Sequence, residues 1–172
     1  FSGFHPPQVR VAGHGRRLSE EVVSIVERLA AAGYRTGAMT DGGFVSYRFG
    51  FGQGFALFSE RASELSEMLD DAEGFLAADD GRPVFVFLHT YRAHWPYRVS
   101  AETRARLGIE GDAKELLDQA WAEAEASLQG AKVHKNDLPI GDTPHMRALV
   151  AGLEQHYRGG SADLDLEFGS FL

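Results

Sequence analysis

The chain has no cysteine, three lysines and six prolines among its 172 residues. Without cysteine, disulfides and thiolate metal sites are excluded, and an oxidising or a reducing compartment suits the chain equally. No apolar stretch approaches the roughly 18 residues that a membrane span requires, so no membrane span is expected in this chain. The 17 basic residues are scattered and outnumbered by 25 acidic ones, for a formal charge of −8. Such a distribution builds no cationic face, which argues against nucleic acid as a partner. Internal repeats, low-complexity tracts, a His-Glu-x-x-His zinc pattern and a Gly-x-Ser-x-Gly nucleophile elbow are also missing.

What is present is an α/β pattern. Hydrophobic residues make up 44% of the chain, enough for one ordinary domain with a sizeable core. Leu18 to Ala32 places Val22, Val23, Ile25, Val26 and Leu29 along one face and reads as a helix, with Ser19 as N-cap and Gly33 as the stop. Tyr34 to Thr40 reads as a short buried strand closed by the turn residues Asp41-Gly42-Gly43. From Phe44 to Phe58, Gly50, Gly52 and Gly54 alternate with aromatics too irregularly for a dinucleotide fingerprint, and the stretch reads as an ordered surface loop. Ser59 to Ala78 reads as a second helix. Val84 to Leu88 is a β-branched and aromatic run of the kind buried on both faces, hence a central strand. Ala101 to Leu107 and Ala113 to Leu128 read as helices, followed by a polar turn from Gly130 to Thr143. Pro144 suits the first turn of a last helix towards Leu172, which Gly159-Gly160 would kink or interrupt.

The most informative stretch is Pro83 to Tyr97, PVFVFLHTYRAHWPY, where an apolar strand runs into a loop carrying polar and aromatic side chains. In open α/β sheets, ligands collect beyond the carboxyl ends of strands, so these residues are the first candidates for chemistry. Read from residue type alone, His94 is most often a loop histidine that caps backbone carbonyls. His89, at the strand end, reads as a satisfied histidine bonded to a neighbouring loop and supporting the site rather than reacting. Arg92 has the fork geometry for a sulfate or carboxylate. Trp95 and Tyr97 offer an apolar wall for an aryl or sugar group, or pack beneath the loop.

The order of features resembles the middle of a sulfatase domain of the alkaline-phosphatase superfamily. Leu29 to Thr36, LAAAGYRT, resembles that family's helix-to-strand step. Phe49 to Phe58, FGFGQGFALF, is similar to its aromatic and glycine loop, and Phe85 to Tyr97 to its strand followed by His, Pro and an aromatic. Tyr157 to Leu172 resembles its helix with a Tyr, then Asp165 and Gly169, both expected to be structural. The resemblance implies a partial alkaline-phosphatase-like sandwich, with a mainly parallel sheet flanked by helices, spanning 1–172 as a single partial domain. It also implies a sulfuric ester hydrolase acting on a small sulfate ester or glycan, with His94 contacting the sulfate and assisting the leaving oxygen. Arg92, Trp95, Tyr97 and His89 then become substrate-binding residues.

Phe1-Ser2-Gly3 resembles the tail of the family's Cys/Ser-x-Pro-x-Arg nucleophile motif. The resemblance therefore implies a nucleophile just upstream, and a divalent cation, with calcium as the expected ion, whose ligands lie outside this chain. Alone, the chain is expected to be inactive. The family's Gly-Lys-Trp-His is replaced here by Asp41-Gly42-Gly43-Phe44, which keeps phosphoryl or phosphonate chemistry of the same superfamily open. A non-catalytic sulfatase-like binding protein is the third reading.

Overall fold

The computed structural model describes residues 2–3, 16–61, 65–127 and 143–171. The chain divides into two compact units, the first running to Tyr91 and the second from Arg92 to Ser170.

The first unit is α/β. Helix α1 (Ile25–Ala31) leads into β1 (Arg35–Thr40), a short 3-10 turn at Tyr47–Phe49, β2 (Leu57–Glu60), α2 (Leu65–Ala77) and β3 (Val84–His89). The three strands form a parallel sheet in the order β2-β1-β3, with Thr40 in register with both Glu60 and His89. Parallel strands require crossovers, and α2 supplies the one between β2 and β3. Strand β1 is buried at all six positions. Its Arg35, 5% exposed, is stabilised by donating to the carbonyls of Phe75 and Ala78 at the carboxyl end of α2, with its guanidinium 4.7 Å from the Phe75 ring centroid. A cation at a helix carboxyl end satisfies orphan carbonyls and opposes the helix dipole.

Three expectations change here. Helix α1 starts at Ile25 rather than Leu18, because Ser24 and Glu27 form a capping box, with Ser24 N donating to Glu27 Oε2 at 2.7 Å and Glu27 N to Ser24 Oγ at 3.1 Å. The stretch expected as loop and helix start contains β2, and α2 begins only at Leu65. Among the described residues the apolar strand β3 lies at the sheet edge, not its centre, and all six of its residues are half-buried.

That edge has a consequence for solution behaviour. Among the described residues, β3 pairs with β1 alone, and it carries no lysine or proline to discourage pairing with another chain. Self-association of the isolated chain is expected, seen as concentration-dependent elution in size-exclusion chromatography and weakened by Phe87→Lys. A monomer at every concentration would contradict this.

The second unit is helical: α3 (Ala101–Leu107), α4 (Ala113–Ser127) and α5 (Pro144–Gly169). The expected Leu128 end of α4 and the polar turn 130–142 lie outside the described residues. Thr143 caps α5 by accepting from Met146 N at 3.0 Å, and Pro144 opens the helix as expected. Ala120 and Ala124 of α4 pack with Met146 and Leu149 of α5 as a small core. Helix α5 runs unbroken through Gly159 and Gly160, both buried. A Cβ at Gly159 would stand 2.6 Å from Ile109 Cδ1 and 2.8 Å from Val99 Cγ1, so the glycine is kept for close approach rather than for a bend. No helix among the described residues is long and apolar enough to cross a membrane.

Candidate functional site

Within the first unit, polar side chains collect at the carboxyl end of the sheet. Asp41 follows β1, and its Oδ2 accepts from Thr90 Oγ1 at 2.9 Å and from Tyr91 N at 2.7 Å. The Asp41 N–H donates to the His89 carbonyl at 3.1 Å, tying the ends of β1 and β3 together. His89 stacks on Phe87 and meets the Tyr91 ring edge-on at 4.7 Å between centroids. Among the described residues its buried Nδ1 has no hydrogen-bond partner, nor has Asp41 Oδ1. The sequence reading expected a satisfied histidine. Nδ1 departs from that because the ring packs among aromatics and the Asp41 carboxylate turns towards Thr90 and Tyr91.

Within the second unit, Arg92 to Ser100 forms the segment between the sheet and α3, and it contains the other four residues singled out from sequence. His94 is exposed, and its Nδ1 lies 2.8 Å from the Trp95 carbonyl oxygen. A carbonyl only accepts, so in this contact Nδ1 is the donor. The carbonyl contact expected of a loop histidine is thus made by Nδ1. Trp95 and Tyr97 meet edge-on at 5.8 Å, and Tyr97 meets Tyr157 of α5 at 5.6 Å. Arg92 Nη2 donates to Glu167 Oε1 of α5 at 2.6 Å, with the two side chains 20% and 35% exposed. The Trp95–Pro96 peptide is cis.

Sequence reasoning missed the helix face that receives this segment. Asp163 of α5 is 6% exposed and accepts from Ser100 N at 2.6 Å, Ser100 Oγ at 2.8 Å and Thr103 Oγ1. Burial pushes its carboxyl up, but these three donors and the nearby Arg92 charge outweigh burial and hold it below the usual carboxylate range. The 3, 3 and 4 residue steps joining Tyr157, Gly160, Asp163 and Glu167 place them on one face, a spacing visible in the sequence but not interpretable without a partner segment. Asp165, expected to be structural, is exposed.

Asp163 makes a pH prediction. Its folded carboxyl ionises below the unfolded one, so the unfolded state binds more protons in acid. The contribution is complete above about pH 4 and is lost as pH falls below that. Asp163→Asn is expected to cost about 1–3 kcal/mol at neutral pH and to flatten the acid limb of the stability curve, measured by urea unfolding between pH 2 and 7. An unchanged acid limb would contradict the assignment.

Among the described residues, no group of three or more His, Asp or Glu side chains could hold a metal ion, so the cation that the resemblance implies has no holder among them. Comparison with family models, with curated proteins and with solved structures finds no match in any of the three.

Proposed function

We propose that this chain is the part of a sulfatase-type hydrolase that presents His94 to the leaving oxygen of a sulfate ester. The observation that carries the reading is the His94 ring itself. It is exposed on the loop that follows an apolar strand, and its Nδ1 donates to the Trp95 carbonyl. As the S–O bond breaks, the leaving oxygen accumulates negative charge. A protonated Nε2 first hydrogen-bonds that oxygen and then transfers its proton, releasing a neutral alcohol or phenol. Trp95, packed edge-on against Tyr97, gives the organic part of the ester an apolar surface. The nucleophile and the ligands of the expected calcium belong to segments flanking this one.

A second reading, phosphoryl or phosphonate hydrolysis, is favoured by one feature. The turn after β1 presents the Asp41 carboxylate where the arylsulfatase pattern has a lysine and a histidine.

The coding sequence on both sides of this segment tests these readings. A Cys/Ser-x-Pro-x-Arg motif shortly before Phe1, with an Asp-His or Asp-Asn segment after Leu172, is expected for the sulfatase. A threonine in place of Cys or Ser would move the assignment to phosphoryl transfer. A start codon at Phe1 with a stop codon after Leu172 would remove the enzyme claim and leave a non-catalytic binding protein.

A further inference from the structure

Resting on the role proposed for His94, we propose that α5 positions that histidine by holding the loop on either side of it, with Glu167 and Tyr157 as the positioning residues. Arg92 and Tyr97 bracket His94 two residues before and three after. Each is attached to the same face of α5, Arg92 by its ion pair with Glu167 at 2.6 Å and Tyr97 by its edge-on contact with Tyr157. Between these points Gly160 lets the helix approach the loop backbone closely. A Cβ at Gly160 would lie 3.2 Å from the Arg98 carbonyl oxygen and 3.9 Å from that of Arg92. The near end of α3 is fixed in turn, because Asp163 takes both the amide and the hydroxyl of Ser100.

This arrangement assigns Arg92 a different task from substrate binding. Its guanidinium is compensated by Glu167 and mostly covered, so it serves as an anchor for the loop. It also accounts for a buried carboxylate and for Gly160 on the loop-facing side of α5. Short loops carrying an acid–base side chain need such support, since a misplacement of about 1 Å costs roughly 100-fold in rate.

The test uses the 172-residue chain labelled with 15N-histidine. Long-range proton–nitrogen spectra report which nitrogen of His94 carries the proton. Wild type is expected to show the Nδ1–H form. Glu167→Gln is expected to leave the thermal midpoint nearly unchanged while His94 becomes a mixture of both tautomers, and the charge reversal Arg92→Glu with Glu167→Arg is expected to restore the wild-type signal. Tyr157→Ala, at a side chain about half exposed, releases the other end and is expected to give the same mixture should Glu167→Gln fold poorly. A wild-type His94 spectrum in both single variants overturns the proposal. Because the spectrum is read without turnover, its outcome is separate from that of the flanking coding sequence, which tests the functional reading.

Discussion

Gly54→Ala is expected to destabilise the first unit by about 2–6 kcal/mol, the sum of a left-handed backbone penalty and an overpacking term. Gly54 has φ +85°, where a side chain is strained whatever the space. Space is lacking too: the added Cβ would stand 2.4 Å from Glu27 N, 2.7 Å from Val26 C and 2.8 Å from Glu27 Cα, all backbone of α1. Backbone in a helix cannot swing aside as the tip of a long side chain can, so the loop must lift. Lifting would break the 2.7 Å bond from Thr36 Oγ1 to the Gly54 carbonyl and the 3.3 Å bond from Ser24 Oγ to the Gln53 carbonyl. Those bonds join the glycine-rich loop to β1 and to the cap of α1. Gly74→Ala is the matched control. That glycine lies inside α2 with nothing within 4 Å of its Cβ position, and the change is expected to stabilise by up to about 1 kcal/mol. Urea unfolding of both variants measures the difference, and a Gly54→Ala loss below about 1 kcal/mol would contradict the packing described.

On the proposed sulfatase reading, His94→Ala in the full-length protein is expected to lower kcat for sulfate ester cleavage by about 10²–10⁴-fold, the usual range for removing a positioned acid or base. The proposed reading has the Trp95 and Tyr97 rings hold the organic part, so on it KM should move far less. The stability of the chain should stay within about 0.5 kcal/mol, because the side chain is exposed. A fall in kcat with unchanged stability separates a chemical role from a structural one. Loss of both together would place His94 in the fold instead.

The sequence made some of this legible and hid the rest for physical reasons. Strand β1 and helices α3, α4 and α5 follow their periodicity, because each buries one face or is buried entirely. The start of α1 was ambiguous since Ser19 and Ser24 both suit an N-cap. The Ser24-x-x-Glu27 box decides it, and that signal was available. Strand β2 was hidden because Leu57–Glu60 is only four residues long and half polar, inside a run rich in glycine and aromatics. The apolar composition of β3 reports that both its faces need cover, not that it sits between two strands. The His94 loop was recognisable from the strand-to-loop pattern alone. Asp163 and Glu167 were not, because their meaning depends on a segment about 60 residues earlier in Asp163's case and 75 in Glu167's, and only the folded chain brings them together.

The central claim, that His94 delivers a proton to the leaving oxygen, is tested most directly by a leaving-group series. Wild type and His94→Ala, in the full-length protein that the proposed reading expects, would be compared on aryl sulfates with acidic phenols and on alkyl sulfates. A departing phenolate with a low pKa needs little protonation, whereas an alkoxide needs a full proton, so the loss should grow from small on the nitrophenyl ester to the full 10²–10⁴-fold on the alkyl ester. Equal losses across the series, or no turnover of any sulfate ester by wild type, would contradict the account.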